Sequence, residues 1–288
     1  MTSKRPRRSF PDMKYAICNE TFEGWEHLRI CRFIADLGYT GIELAPFTLA
    51  PTVSDVSRDQ RRQLREQAEA CGIQVVGLHW LLARTEGLCL TAPDAATRDR
   101  TAGYMGELAR YCKDLGGTTL VLGSPQQRHI PQGCTRADAF ANAADTLSRA
   151  LPRIADEGVL LCLEPLSTQE TDFINTCTEA VELLDHIGHP NLVLHLDVKA
   201  MASEQTPIAD LIGRYLPRTG HFHANDANRR GPGFGAIDFV PIMRALKRGK
   251  YEGWISVEVF DYSPDPETIA SESLRYLREC EAKADAGC

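Results

Sequence analysis

The sequence has no apolar run long enough to cross a bilayer, so it predicts no transmembrane helix and no membrane partner. An excess of basic residues is also absent: the formal net charge is -7, which disfavours a nucleic-acid-binding surface. The chain begins with a basic segment, residues 1–10, but no apolar stretch follows it as in a secretion signal. We therefore predict a cytoplasmic protein in which this basic segment is a flexible tail.

The cysteines lack the arrangement of a disulfide framework or of a zinc site. Ten are present, yet no two of them form a CxxC pair and their spacing is irregular. Several, such as Cys18 and Cys162, sit in apolar runs, where cysteine behaves as a small buried hydrophobic residue. We expect reduced thiols, as is usual in the cytosol.

A linker rich in proline, glycine or serine is absent too, so one domain is predicted over residues 11–288. Apolar runs of strand length alternate with amphipathic runs of helix length, which is typical of α/β proteins with a parallel sheet. A length of 288 residues suits a single (β/α)8 TIM barrel. The predicted strands are Lys14–Cys18, Gly41–Leu44, Gln74–Leu78, Thr118–Leu122, Leu160–Leu163, Leu192–Leu196, Gly220–His223 and Trp254–Val259. The predicted helices cover residues 25–37, 57–70, 94–115, 137–155, 178–187, 208–216, 239–247 and 266–281.

Two predicted connections are longer than the others, namely residues 82–93 after the third strand and residues 124–134 after the fourth. Long loops in a compact barrel are usually functional, and both lie on the face where barrel enzymes place their active sites. We therefore expect them to be lids over a small substrate. Arg128 and His129 in the second loop could contact a ligand or decorate the surface.

Four strand-like runs in the C-terminal half each lead into a metal-binding side chain. These residues are Glu164, Asp197, His223 and Glu258, separated by 33, 26 and 35 residues, each about one strand, loop and helix. The carboxyl ends of parallel barrel strands converge on one face, so the four side chains are predicted to meet. Three carboxylates in one place would repel one another without a cation. The sequence therefore predicts a metal site at this face of the barrel.

The predicted ligand set is rich in oxygen and has one imidazole, which suits a hard or borderline divalent cation. We expect Mn²⁺, with Mg²⁺, Co²⁺ and Zn²⁺ as alternatives. Such a cation polarises a substrate carbonyl and stabilises the enediolate that forms when a neighbouring proton leaves. Glu164 and Glu258 lie on opposite sides of the predicted site. Two carboxylates on opposite faces of one carbon could remove a proton and return it, which inverts a stereocentre or isomerises a sugar.

Other residues near predicted strand ends are candidates for substrate contacts. His79 and Trp80 follow the third strand, and Glu43 lies near the end of the second. Lys199, two residues after Asp197, could give a cationic contact or orient a ligand residue. Each has a structural alternative: a barrel-top histidine, an aromatic packing group, or a charge at the rim.

Two segments carry a resemblance to a known family. They are Leu163-Glu164-Pro165-Leu166 with residues 170–176, and His221-Phe222-His223 with residues 228–235. The sequence resembles the xylose-isomerase-like sugar isomerase and epimerase superfamily, and within it the ketose 3-epimerases of the tagatose and allulose type. The resemblance implies a TIM barrel, a sugar substrate and the four metal ligands named above, with Glu164 and Glu258 as acid and base. It also implies that Glu170 and Arg229 bind the substrate, and analogy with such barrels admits a homodimer or homotetramer.

One position departs from the ketose 3-epimerases. They carry a histidine three residues after the aspartate ligand, and this chain has Ala200 there. Two enzymatic readings therefore stay open: a metal-dependent sugar epimerase or isomerase, and a lyase or dehydratase that eliminates a leaving group from a keto-sugar or keto-inositol. A DNA-repair endonuclease of the same superfamily is disfavoured by the missing histidines and the acidic charge. A non-catalytic barrel is disfavoured because all four ligand positions are filled.

Overall fold

The computed structural model describes residues 13–286, so the predicted basic tail lies outside the described residues. Eight parallel strands form a closed barrel in which each strand pairs with the next and the last pairs with the first. The fold prediction of a (β/α)8 TIM barrel is confirmed. The strands are β1 (Lys14–Cys18), β2 (Gly41–Leu44), β3 (Gln74–Leu78), β4 (Thr119–Leu122), β5 (Leu160–Leu163), β6 (Leu192–Asp197), β7 (Thr219–Ala224) and β8 (Trp254–Val257).

Helices connect the strands and cover the outside of the barrel. They are α1 (His27–Leu37), α2 (Arg58–Ala70), α3 (Ala95–Asp114), α4 (Arg136–Asp156), α5 (Cys177–Ile187), α6 (Val198–Met201), α7 (Ile208–Tyr215), α8 (Phe239–Arg248) and α9 (Pro266–Ala286). Eight of them match the predicted helices with shifts of a few residues at their ends. The single turn α6 was not predicted, and it forms because the Asp197 carboxylate accepts the backbone N–H of Ala200 at 2.7 Å.

Two helix ends show the residue types that usually cap helices. Helix α1 ends at Gly38, whose φ of 100° is a left-handed conformation that side chains other than glycine rarely adopt. Helix α2 begins at Ser57, which forms a capping box with Gln60. The apolar faces of the helices pack on the outer face of the sheet, with Ile34, Leu108 and Leu147 among the fully buried side chains.

The interior of the barrel is unusually polar. A barrel of this kind is normally filled by branched apolar side chains. Here Glu43 on β2 contacts His221 on β7 at 2.9 Å, although these strands are not neighbours in the barrel. The contact must therefore cross the barrel interior. Cys18, predicted to be a buried hydrophobic group, joins this cluster, since its Sγ lies 3.7 Å from Glu43 and 3.6 Å from Ser256.

The two long loops lie side by side at the carboxyl end of the strands. The backbone N–H of Leu90 donates to the carbonyl of Gln127 at 2.7 Å, and the N–H of Leu82 donates to the Ser124 hydroxyl at 3.1 Å. Within residues 13–286, no helix combines the length and the apolar content that crossing a membrane requires.

Candidate active site

A cavity of about 910 Å³ opens at the carboxyl end of the barrel. Such a volume lies in the range of small-molecule sites. The long loops after β3 and β4 contribute Arg84 and the segment 123–127 to its wall. Seven of the predicted site residues line it: His79, Trp80, Glu164, Glu170, Lys199, Arg229 and Glu258.

The four predicted metal ligands form one buried cluster, from which Glu164 and Glu258 reach the wall of this cavity. Glu164, Asp197 and Glu258 each place a carboxylate oxygen within 4.8 Å of the other two, and all three residues are buried. His223 joins them, with its Nδ1 at 3.1 Å from Glu258 Oε2. Strands β5 to β8 thus bring together residues that are far apart in the chain.

The chemistry of this cluster fits a divalent cation. Burial, together with the neighbouring carboxylates of Asp197 and Glu258, raises the pKa of Glu164 well above its usual range. Burial and the Glu258 carboxylate also raise the pKa of Asp197. A positive ion among the three carboxylates would remove this penalty. Three carboxylate oxygens and one imidazole nitrogen are donors that Mn²⁺ and similar ions accept.

Glu258 has close polar contacts at both of its oxygens. His79 Nδ1 and Trp80 Nε1 each lie 3.0 Å from its Oε1, while its Oε2 faces His223. The other nitrogen of His79 lies 2.9 Å from Glu20. Burial opposes ionisation of Glu258, but the imidazoles of His223 and His79 hold its pKa well below the usual range. The sequence placed His79 at the substrate, and the structure places it between two carboxylates.

Glu164 has no such support. No described residue donates to its side-chain oxygens, and its carboxylate forms part of the cavity wall. Gly123 makes room for it: a Cβ there would lie only 2.2 Å from Glu164 Oε2. The backbone carbonyl of Glu164 accepts a hydrogen bond from Arg128. Arg128 is buried, and its Nε and Nη1 find no partner among residues 13–286. Burial lowers the pKa of Arg128 to about 10.

Glu43 is not brought to the cavity wall, where the sequence had placed it. It is fully buried, and its Oε2 lies 2.9 Å from His221 Nε2 and 3.0 Å from His223 Nε2. A carboxylate only accepts, so His223 donates its Nε2–H to Glu43. Its Nδ1 remains directed at the carboxylate cluster. This is the arrangement by which a carboxylate orients a metal-binding histidine.

His195 and His221 complete the floor beneath the ligand cluster. The rings of His195 and His223 are 4.2 Å apart, and neither nitrogen of His195 has a hydrogen-bond partner among the described residues. Burial, together with the neighbouring imidazoles of His223 and His221, lowers the pKa of His195 well below its usual range. Sequence reasoning missed His221, although it lies two residues before His223 on the same strand and so faces the same side. No sequence signal indicated that Glu43 would be its partner.

Lys199 and Glu170 form an ion pair in the cavity wall. Lys199 Nζ lies 2.7 Å from Glu170 Oε1, and the Ser167 hydroxyl donates to Glu170 Oε2 at 2.8 Å. Asn225 accepts the backbone N–H of Lys199 at 2.7 Å and donates to Asp197 at 2.6 Å, which fixes the start of α6.

The aromatic rings of Trp80 and Phe260 lie in the same wall, and Phe47 packs against Trp80. The Trp80 ring centroid lies 5.9 Å from that of Phe47 and 5.9 Å from that of Phe260. Lys199 Nζ is 4.8 Å and the Arg229 guanidinium 5.8 Å from the centre of the Phe260 ring. Trp80 therefore connects the aromatic wall to the Glu258 carboxylate.

Comparison with known proteins agrees with this architecture. The D-psicose 3-epimerase of Enterocloster bolteae is 29% identical over 241 residues, which are 79% of this chain and 74% of the relative. A putative hydroxypyruvate isomerase of Mus musculus is 28% identical over 221 residues, 68% of this chain and 77% of the relative. A solved L-ribulose 3-epimerase superposes with a TM-score of 0.83 at 20% identity, covering 96% of this chain and 97% of that one.

The resemblance found in the sequence is confirmed, since curated relatives carry the names of ketose 3-epimerases. The family model described as "Xylose isomerase-like TIM barrel" matches residues 31–280, and this chain therefore belongs to that family.

Proposed function

We propose that this protein is a divalent-metal-dependent epimerase or isomerase of a ketose or ketose-like sugar, in which Glu164 and Glu258 transfer the proton. The observation that carries the proposal is the buried cluster of Glu164, Asp197 and Glu258, with His223 beside Glu258, at the wall of a substrate-sized cavity. That the chain is an enzyme of the isomerase and epimerase class follows from its relatives, which include D-psicose and L-ribulose 3-epimerases and hydroxypyruvate isomerases.

The residues that would hold the metal are Glu164, Asp197, His223 and Glu258. When bound, the cation supplies polarisation of the substrate carbonyl and stabilisation of the developing enediolate charge. Mn²⁺ is the ion that we propose, because the ligand set is rich in oxygen and has one imidazole.

The two glutamates differ in readiness to accept a proton. Glu164 lies in the cavity wall without a donor on its side chain, so one of its oxygens can approach a substrate C–H. Glu258 is held in place by His79 and Trp80, which both contact its Oε1. One glutamate would remove the proton next to the carbonyl, and the other would return a proton to the opposite face of the same carbon. The result is epimerisation.

Substrate contacts would come from Glu170, Lys199, Arg229 and Trp80, all in the cavity wall. Trp80 presents its ring and can pack against the apolar face of a sugar. His79, by contrast, would act through Glu258, because both of its nitrogens are engaged by carboxylates.

The proposal is tested by following deuterium uptake from the solvent into ketoses by NMR, with metal-loaded protein and with the Glu258→Gln and Glu164→Gln variants. We expect deuterium at a carbon next to the carbonyl and a new stereoisomer in the same sample. Either variant should lose both the deuterium uptake and the formation of the new stereoisomer. If no substrate exchanges in a protein that retains its metal, the proposed reaction is wrong.

A lyase or dehydratase is the second candidate, and the residue that favours it is Ala200. Ala200 removes the imidazole that ketose 3-epimerases place at this position, and the Lys199 ammonium lies in the wall instead. The same enediolate could then expel a leaving group from the next carbon. Release of that group, measured in the same NMR samples with keto-glycosides, would distinguish this reaction from epimerisation.

A further inference from the structure

Two arginines in the cavity wall have no carboxylate partner. The charged side chains in the wall, besides His79, are Arg84, Lys199, Arg229, Glu164, Glu170 and Glu258. Glu164 and Glu258 belong to the proposed metal site, and Glu170 is paired with Lys199. The two arginines remain. Neither the Arg84 nor the Arg229 guanidinium has an ion pair or a side-chain hydrogen bond with any residue between 13 and 286.

Both arginines are exposed, and each guanidinium lies beside an aromatic ring. The Arg84 guanidinium lies 4.2 Å from the centre of the Phe47 ring. Arg229 has a φ of 71°, and its backbone carbonyl accepts the N–H groups of Phe260 and Asp261 at 2.9 and 3.0 Å. These contacts hold the backbone of Arg229 beside the cavity. Stacking on aromatic rings leaves the edge of a guanidinium, with its N–H donors, available to a ligand.

The Phe260 ring brings two cations to one place. Lys199 Nζ and the Arg229 guanidinium both lie within 6 Å of its centre, at 4.8 and 5.8 Å. Glu170, which the family resemblance assigns to a substrate hydroxyl, already accepts from Lys199 on one oxygen and from Ser167 on the other. This part of the wall therefore offers N–H donors with positive charge, where a free carboxylate would have offered an acceptor.

We propose that the cavity contains an anion subsite formed by Lys199 and Arg229 beside Phe260, with Arg84 as a further cation of the cavity wall, and that the substrate carries an oxyanion, a carboxylate or a phosphate, in addition to its ketose group. The inference rests on the proposed function, since it names the class of sugar that this site takes. Planar guanidinium groups match both oxyanions, and charge-assisted hydrogen bonds to them are stronger than those to neutral hydroxyls.

Binding of unreactive analogues tests the subsite independently of turnover. D-glucitol, D-gluconate and D-glucitol 6-phosphate would be titrated into metal-loaded protein by calorimetry, at low and at high salt. We expect one of the two anions to bind at least about tenfold more tightly than D-glucitol, with the difference shrinking as salt screens the charges. Preference for D-gluconate identifies a carboxylate substrate, and preference for the phosphate identifies a sugar phosphate.

Three variants test which residues cause the tighter binding of the anion. Arg229→Gln, Arg84→Gln and Lys199→Met each remove one cation and should reduce the preference for the anion. Arg248→Gln is the matched control, because Arg248 is an exposed arginine at the end of α8 that does not line the cavity. A carboxylate also has affinity for a divalent metal, so the dependence on the arginines identifies the subsite. Anions that bind no more tightly than D-glucitol, or with a preference that the three variants leave unchanged, would overturn the inference.

Turnover separates this inference from the proposed function. Deuterium exchange would be compared for D-fructose, D-fructuronate and D-fructose 6-phosphate, which share a ketose group and differ at the far end. Faster deuterium exchange with D-fructuronate or D-fructose 6-phosphate than with D-fructose supports both the proposed function and the anion subsite. Exchange with D-fructose alone supports the proposed function and contradicts the anion subsite. Tight, arginine-dependent binding of an anion without any exchange supports the subsite and contradicts the proposed function.

Discussion

The two halves of the barrel contribute differently to the candidate active site. Strands β5 to β8 supply the four proposed metal ligands, whereas the segment from β1 to β3 supplies the groups that hold two of them. The supporting groups are Glu20, Glu43 and His79, which contact Glu258 and His223 directly or through one another. The ligands on β5 and β6 have no partner from β1 to β3. One side of the cluster is therefore fixed, and the side that carries Glu164 faces the cavity.

The largest effect is expected from the C-terminal half. Glu164→Gln and Glu258→Gln each remove a proposed proton carrier, and kcat should fall by about 10²–10⁴-fold. Metal content, measured by mass spectrometry, shows whether the loss arises from chemistry or from an empty site. A Glu164→Gln enzyme that keeps its metal and most of its activity would contradict the role that we assign to the unsupported glutamate.

An intermediate effect is expected from the N-terminal half. Glu43→Leu removes the acceptor that orients His223, and we expect metal affinity to fall by about 10–100-fold, the usual effect of losing such a partner. Glu43→Gln is the matched control, because its amide oxygen can still accept the His223 N–H. Calorimetric titration with Mn²⁺ and the absorption spectrum of the Co²⁺-loaded protein report the change. Equal affinity in both variants would show that Glu43 has a structural role only.

A smaller effect concerns the ion pair on the side that faces the cavity. Burial opposes ionisation of Glu170, but Lys199 and Ser167 lower its pKa below the usual value of 4.5. A carboxylate with a lowered pKa stabilises the fold above its unfolded pKa, and this contribution disappears as the pH falls through the folded pKa. The difference in unfolding free energy between wild type and Glu170→Gln, measured by urea denaturation, should be about 1 kcal/mol near neutral pH and decline below pH 4.5. A difference that grows in acid would contradict the assignment.

The last effect, of about the same size, should be equal in both halves. Ser57 begins α2 and Thr176 begins α5, and each accepts a backbone N–H with its hydroxyl. Replacing either by alanine should lower the free energy of unfolding by about 1 kcal/mol and leave Mn²⁺ affinity unchanged. Unequal metal affinity in these two variants would mean that the difference between the halves extends beyond the cavity.

The sequence predicted the elements that follow local rules. Strand and helix periods predicted the barrel, and the side chains at the ends of the last four strands predicted the ligand cluster, because the carboxyl ends of parallel barrel strands converge on one face. Helix α6 was not predicted because a single turn has too few residues to show a hydrophobic periodicity. It depends on a hydrogen bond from Ala200 to Asp197 that only the folded strand end provides.

Contacts across the barrel were beyond sequence reasoning. Glu43 and His223 are separated by 180 residues, and Glu258 and His79 by 179. Nothing near Glu43 distinguishes a side chain at the cavity wall from one a layer below it. Arg128 was equally ambiguous, since a surface loop and a buried guanidinium have the same local sequence. The structure settled both positions through burial.

The contact between Glu43 and His223 also has a consequence for how the protein would acquire the proposed metal during synthesis. His223 receives its orienting acceptor from β2 only when the first and last quarters of the barrel have closed on each other, and pairings so distant in sequence form slowly. A partly folded chain can present its carboxylates before that moment, but it lacks the fixed imidazole. High-affinity metal capture is thus expected to be a late event, and an early intermediate would hold a cation loosely enough to exchange it.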